Sequence, residues 1–373
     1  MEYLPLDMMP VAFVLMCLGV QVAFSMMITA VLFGIVIFGD RVIFQFVEKI
    51  EDISSNFVYA AVPLFVFMGA MLEKSGIANR LFGAIHIWTR RLPGGLSLAT
   101  VIMCIFFAAS SGVIGATESV VGLLTIPVML RYGYDKPLIS GTICAGGSLG
   151  TIIPPSVVAI VIGPLADQSV GDIFYGMTIP GLIMGGLYLV YIFTLCVVRP
   201  SAGPRIPREP DEPGLAEKLW ITTRNMVPPV FMIFAVLGSI LLGWASPTEA
   251  AAVGALCSVL LTLIYRTFTW SGLYQALIKT LQVTSMIMAV LLAGTLFTGV
   301  FIGGGGINTA SVVITKMQLS PWMLLGLMMF IIFLAGFFLD WISIVLIFVP
   351  LFTPLVIQAG FDPVWFCVLF LIM

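Results

Sequence analysis

The sequence predicts an all-α polytopic membrane protein built from an inverted repeat, with two re-entrant helical hairpins and broken helices. The 373 residues are 60% hydrophobic and 9% charged, whereas soluble domains are about 25% charged. Mean hydropathy is +1.15. The apolar segments are long and continuous, which excludes the short alternating strands of a transmembrane barrel. Two of these segments are too long for a single crossing, and they define the repeat.

Charge and cysteine usage narrow the range of functions. A formal net charge of −2 provides no basic field for nucleic acid. The sequence contains no HExxH motif, phosphate-binding loop or nucleophile with a base partner, so we expect neither enzyme activity nor an organic cofactor. The cysteines lie in apolar segments without ligand-type spacing, which favours buried free thiols over a metal site: Cys17, Cys104, Cys144, Cys196, Cys257 and Cys367.

The N-terminal region combines spanning and interfacial helices. Residues 8–38 are apolar except near Gly19, so they form one long tilted helix or two short ones. Residues 40–55 alternate charged and apolar side chains, as in a helix that lies in the membrane interface. Residues 57–72 form a spanning helix.

The stretch from Gly95 to Leu130 predicts a helix that enters the membrane and returns. A spanning helix needs about 20 residues, and small polar residues interrupt this stretch at its centre. A turn at mid-membrane exposes backbone N–H and C=O groups, which only protein or a water-filled cavity can satisfy. Basic residues before and after the stretch, such as Arg91 and Arg131, place both feet in the cytoplasm.

A second interruption follows in residues 138–165, where a Gly-rich segment leads to Pro154 and Pro155. Proline removes a backbone donor and clashes with the preceding turn, so we expect the helix to break at mid-depth. Many transporters form a binding site from a broken helix, because helix ends present polar groups to ions and anionic substrates.

The chain then repeats this plan. Residues 1–198 are the predicted first repeat with its hairpin at 95–131, 199–226 a basic cytoplasmic linker, and 227–373 the second repeat with a periplasm-facing hairpin at 321–358. Before that hairpin we expect helices at 227–243, 250–264 and 284–302 and an amphipathic arm at 266–282. Three matches occur in order: Ser75-Gly76-Ile77 with Gly305-Gly306-Ile307, Ile126-Pro127 with Val349-Pro350, and Gly133-Tyr134-Asp135 with Gly360-Phe361-Asp362. Hairpins with opposite feet provide two half-gates around a central site.

Small polar residues at the first hairpin tip and on the broken helix form the predicted site for substrate and Na⁺. Unwound backbone carbonyls and hydroxyls supply the several oxygens that Na⁺ needs without burying a full charge. The alternative is that these small residues serve only close helix packing. The candidates are Ser110, Ser111, Gly112, Gly115, Thr117, Gly147, Gly150, Thr151, Pro154, Pro155 and Ser156.

Two carboxylates, Asp340 and Glu118, lie within the long hairpin stretches. An ionisable residue inside the membrane is costly and is a functional candidate by default. Cation coordination, a proton relay and a structural hydrogen bond to a helix end all remain open for them. Asp340 joins the candidate set above, and Glu118 and Ser343 are further candidates.

Four motifs resemble the large membrane subunit (M subunit) of tripartite ATP-independent periplasmic (TRAP) transporters: Gly112 to Thr117, Ile126 to Lys136, Gly150 to Ser156 and Gly360 to Phe366. The resemblance covers essentially the whole chain. It implies an elevator-type secondary transporter of the bacterial inner membrane, similar to the ion transporter superfamily and driven by a Na⁺ gradient. It also implies two partners, a small four-helix membrane subunit (Q type) and a periplasmic substrate-binding protein, and an organic-acid substrate such as a dicarboxylate, a keto acid or sialic acid.

The sequence departs from the family pattern in two places. Glu118 stands where the family usually has an apolar residue, which changes the detail of the first cation site. The sequence stops at Met373, inside the helix that leads to a second broken helix, so we expect a fragment or a truncated product. A stand-alone Na⁺/carboxylate symporter is the alternative within transport, and an integral-membrane enzyme or scaffold is the distant alternative.

Overall fold

The computed structural model describes residues 4–112, 114–206, 214–307, 309, 312, 320–337, 339 and 341–373. These residues are almost entirely helical and include no strand. Within the described ranges, seven helices are long and apolar enough to cross a membrane, or up to eight if one bent pair counts as a span. The prediction of an all-α polytopic membrane protein is therefore confirmed.

The helices follow one another along the chain with short connections. In order they are α1 (Leu4–Cys17), α2 (Val22–Phe38), α3 (Val42–Ser55), α4 (Ala61–Lys74), α5 (Ile77–Thr89), α6 (Gly95–Ser111), α7 (Ile114–Arg131), α8 (Lys136–Ile152), α9 (Val157–Leu165), α10 (Val170–Val198), α11 (Leu215–Leu241), α12 (Pro247–Ile264), α13 (Trp270–Gly303), α14 (Pro321–Ala335), α15 (Trp341–Gln358) and α16 (Pro363–Ile372).

The structure decides one prediction about the helices of individual segments and corrects two others. The N-terminal region forms two helices, because the chain turns at Gly19, whose φ is +87°. The predicted linker 199–226 is partly helical, since α11 already begins at Leu215. The predicted arm 266–282 and the helix after it form one helix, α13, because neither proline nor glycine interrupts the sequence between them.

The chain divides into two compact units. The central unit consists of Ala60–Ile160 and Val170–Leu281, and it holds α4 to α8 and α10 to α12. The terminal unit consists of Met1–Tyr59, Val161–Ser169 and Gln282–Met373, and it holds α1 to α3 and α14 to α16. Helices α9 and α13 contribute residues to both units.

The first long apolar stretch returns to the side from which it started. The backbone N–H of Leu96, at the start of α6, donates to the hydroxyl of Tyr134, just after α7, at 3.1 Å. A straight helix would separate these residues by about 57 Å, at about 1.5 Å per residue. Helices α6 and α7 contact each other, and both pack against α8. They therefore form a hairpin whose two feet meet.

The second long stretch closes in the same way. The ring of Trp322, at the start of α14, lies 5.0 Å from the ring of Phe361, just after α15. Gly133 and Gly360, which precede the two closing aromatic residues, have φ values of +73° and +85°. Both helices thus end in the left-handed conformation typical of a helix C-terminus. The repeat boundaries and their orientation across a membrane stay predictions.

Candidate functional site

The helix that was expected to break does so between α8 and α9. The two helices are bent by 42° relative to each other, and the residues between them include Pro154 and Pro155. Neither proline has an N–H, so the carbonyls of Gly150 and Thr151, four residues earlier, cannot receive the regular helical hydrogen bond. Two carbonyl oxygens at the end of α8 are thus available to another donor or to a cation.

The tip of the first hairpin contacts this break through its backbone. The carbonyl of Gly112 accepts a hydrogen bond from the N–H of Val157 at 3.2 Å. Gly112 has a φ of +61°, and a Cβ at this position would lie 2.6 Å from the carbonyl oxygen of Pro155. Glycine is required here both for the left-handed backbone and for the close approach.

Hydroxyl groups lie on both sides of the contact. Ser110, before the tip, is buried, and its Oγ donates to the carbonyl of Phe107 at 2.9 Å. Thr151 Oγ1 donates to the carbonyl of Ser148 at 2.6 Å. Ser156 is fully buried, and its Oγ has no hydrogen-bond partner among the described residues. Buried polar atoms normally have a partner, so the hydroxyl of Ser156, beside a helix break, is a candidate to contact a bound ion.

Two adjacent glycines allow the hairpin to lie against α8. A Cβ at Gly146 would lie 2.5 Å from Sγ of Cys104 on α6, and a Cβ at Gly147 would overlap the side chain of Glu118 on α7. Both arms of the hairpin therefore pack against neighbouring positions of one helix. The side chain of Glu118 is partly exposed and lies beside Gly147 of α8. Gly147 is one helical turn before Gly150 and Thr151, whose carbonyls lack helical donors.

The structure brings part of the predicted set together. The backbone or side chains of Ser110, Gly112, Gly147, Gly150, Thr151, Pro154, Pro155, Ser156 and Glu118 lie along the hairpin and the broken helix of the central unit. The side chains of Ser111 and Thr117, the surroundings of Gly115, and Asp340 lie outside the described residues. Ser343 is buried in α15 and belongs to the terminal unit. A cluster of three His, Cys, Asp or Glu that could hold a metal ion does not occur within the described ranges.

A segment that the sequence reasoning missed closes the base of the hairpin. We call residues 199–206, which follow α10, the strap. The N–H of Gly94, before α6, donates to the carbonyl of Gly203 at 3.0 Å, and the N–H of Asp135, after α7, donates to the carbonyl of Ala202 at 3.0 Å. The small Ala202-Gly203 pair within a polar linker was the one available signal, and it was too weak to identify the contact.

Tyr134 completes this base. Its side chain is buried, and burial raises its pKa to about 12, although the hydrogen bond from Leu96 lowers it. The group therefore remains a neutral phenol at physiological pH and accepts the N–H of Leu96. That N–H is one of the first four of α6, which have no partner within their own helix.

Comparison with known proteins identifies the family. The model of the DctM component of tripartite ATP-independent periplasmic transporters matches residues 9–373. The chain belongs to the DctM family. It is a large permease component of a TRAP transporter, a multi-pass protein of the inner membrane and not an enzyme.

Several relatives of this DctM-family permease carry substrate names. The C4-dicarboxylate TRAP transporter large permease protein DctM of Pseudomonas aeruginosa is 31% identical over 318 residues, which are 85% of this chain and 73% of that protein. The isethionate TRAP transporter permease protein DctMQ of Oleidesulfovibrio alaskensis is 28% identical over 98% of this chain and 58% of that protein. The sialic acid TRAP transporter large permease protein SiaM of Vibrio cholerae is 27% identical over 94% of this chain and 81% of that protein.

A solved structure shares the fold. The YdaH transporter of Alcanivorax borkumensis aligns with a TM-score of 0.50 and 15% sequence identity, over 89% of this DctM-family chain and 75% of that chain. At this identity the similarity shows the architecture alone.

Proposed function

We propose that this permease imports an organic acid together with Na⁺ by an elevator mechanism. In this proposal a periplasmic binding protein delivers the substrate, and a small four-helix membrane subunit completes the complex. Relatives are named for C4-dicarboxylate, isethionate and sialic acid, all of which are organic anions at neutral pH. Partners and elevator movement are proposed from membership of the family.

The observation that supports Na⁺ coupling is the oxygen-rich break between α8 and α9. The carbonyls of Gly150 and Thr151 lose their helical donors to the two prolines, and the buried Ser156 hydroxyl has no partner within the described structure. Carbonyl and hydroxyl oxygens replace the hydration shell of a monovalent cation without a full buried charge. The contact with Gly112 brings the hairpin tip beside these oxygens.

A binding experiment tests the ion site directly. Pro154→Ala restores an N–H that can bond to the Gly150 carbonyl, and Ser156→Ala removes the unpartnered hydroxyl. We expect each change to lower Na⁺ affinity by about 10-fold to 100-fold, the range for one hydrogen bond to a charged group. The affinity is measured as the Na⁺-dependent rise in melting temperature, with choline in the reference buffer. Pro228→Ala, the same replacement inside α11, is the control and keeps full Na⁺ affinity.

A transport experiment tests the complex. The permease, its membrane subunit and the binding protein are reconstituted in liposomes, and uptake of labelled succinate is followed. We expect uptake only with an inward Na⁺ gradient and with the binding protein present. Uptake that persists with K⁺ in place of Na⁺ contradicts the ion assignment. Uptake without the binding protein indicates a stand-alone symporter.

A further inference from the structure

A groove lies between α8 and α10 in the central unit, next to the base of the first hairpin. It is open to the surface and has a volume of about 490 Å³. One wall consists of Asp135 and the first half of α8 as far as Ala145, and the other consists of the last part of α10 from Tyr188 and of Arg199, which follows it. Ala202 of the strap closes one end. The proposed ion and substrate site does not use this groove.

The dimensions of the groove limit what can occupy it. Ten residues of helix separate Asp135 from Ala145, so the groove is about 15 Å long, which is half the roughly 30 Å hydrocarbon thickness of a bilayer. A hydrocarbon chain fits a groove of this length whose lining is mainly apolar.

The charges lie at one end of the groove. Asp135 and Arg199 line that end, and the exposed Lys136 and Arg205 are one residue and three residues from Asp135 and Ala202. The lining itself holds one anion and one cation at this end, and Lys136 and Arg205 add two exposed cations next to these residues in the sequence. The remainder of the lining is mainly apolar, as in Leu138, Gly141, Ala145, Ile192 and Leu195, with the two tyrosines of α10.

We propose that this groove binds an anionic phospholipid, with one acyl chain between α8 and α10 and the phosphate against Arg199. The length matches one leaflet, the mainly apolar lining matches an acyl chain, and the basic end matches an anionic headgroup. Basic pockets between membrane helices recognise such lipids. A lipid held here bridges α8 and α10 beside the strap, and so it supports the base of the first hairpin.

The test uses the purified full chain and native mass spectrometry, with phosphatidylglycerol and phosphatidylcholine as probes. We expect the chain to bind phosphatidylglycerol more tightly than phosphatidylcholine. Arg199→Gln lowers this preference by about fivefold, the effect of one basic residue near a lipid surface. Arg224→Gln, the same change on exposed α11, leaves the preference unchanged.

A second variant tests the acyl chain separately from the headgroup. Gly141 lines the groove, and a Cβ there meets open space, so Gly141→Leu fills the groove without a clash. We expect Gly141→Leu to lose tight binding of both lipids. Gly83→Leu places the same side chain at an open position on α5 and retains binding.

Three outcomes overturn the proposal. They are equal binding of the two lipids by the wild-type chain, unchanged lipid binding in Gly141→Leu, and displacement of the lipid by the small membrane subunit. The last result identifies a protein partner as the occupant of the groove. Equal elution of all variants in size-exclusion chromatography shows that each variant is folded.

Discussion

The contact between the hairpin tip and the broken helix predicts how two left-handed glycines differ. Gly112 and Gly133 have φ values of +61° and +73°. An alanine at either position adopts a left-handed backbone, which costs about 1 kcal/mol. A Cβ at Gly133 meets nothing within 4 Å, whereas a Cβ at Gly112 would lie 2.6 Å from the Pro155 carbonyl oxygen. The comparison of Gly112→Ala with Gly133→Ala therefore isolates the tip contact.

The magnitude follows from the distances. An ordinary contact requires at least 3.4 Å, so the tip must retreat by about 0.8 Å, the difference from 2.6 Å. This movement lengthens the hydrogen bond from the N–H of Val157 to the carbonyl oxygen of Gly112 from 3.2 Å to about 4 Å, which is beyond hydrogen-bonding distance. A lost hydrogen bond costs about 1 kcal/mol. We expect Gly112→Ala to destabilise the chain by about 2 kcal/mol, the sum of the two costs, and Gly133→Ala by about 1 kcal/mol.

The free energy of unfolding is measured by titration of detergent-solubilised protein with sodium dodecyl sulfate, followed by tryptophan fluorescence. The Na⁺-dependent rise in melting temperature is measured in parallel, and we expect Gly112→Ala to lose it while Gly133→Ala keeps it. Equal destabilisation by the two substitutions would refute the argument that the tip is seated on Pro155.

Three further changes test the central unit. We expect Gly147→Ala to destabilise the chain by about 1 to 3 kcal/mol, because the new Cβ overlaps Glu118. Adding Glu118→Ala should restore the stability. Additive effects of the two substitutions in the unfolding titration would exclude this contact. Glu73→Lys should break the ion pair with Lys279 and lower the stability of the chain. Adding Lys279→Glu reverses both charges and should recover that stability, and 1 M salt should then weaken it. A double variant no more stable than Glu73→Lys alone would count against the pair. Because burial raises the pKa of Tyr134 from 10.0 to about 12, its neutral form contributes stability below pH 10 that is lost as the pH rises to about 12. Tyr134→Phe should flatten that decline in a pH series of melting temperatures, and an unchanged slope would contradict it.

The fold class could be predicted from the sequence because lipid leaves few options for a backbone. Continuous apolar runs require helices, and the length of the stretch from Gly95 to Leu130 required a turn. The break at Pro154 and Pro155 followed from the missing N–H groups alone. These features depend on local covalent chemistry, which a single sequence displays.

Long-range contacts could not be predicted in the same way. The strap contacts the hairpin feet through backbone atoms of Ala202 and Gly203, and backbone hydrogen bonds leave almost no pattern in side-chain identity. The proximity of Glu118 to Gly147 depends on the rotation of α7 against α8, which hydrophobic periodicity does not fix when the helices are apolar all round. Helix α11 begins at Leu215 rather than at the predicted residue 227, because the polar composition around Leu215 is typical of a loop.

The first hairpin is fastened unevenly along its length. Its feet are tied to the strap and to each other by the hydrogen bonds of Gly94, Asp135 and Leu96, whereas among the described residues the tip bonds to the break through the N–H of Val157. Because the base is held by more hydrogen bonds than the tip, we expect thermal motion of the hairpin to increase from the base toward Gly112. We therefore expect the amide of Val157 to exchange with deuterium before those of Gly94 and Asp135, so that the end of the hairpin proposed to bind Na⁺ opens first.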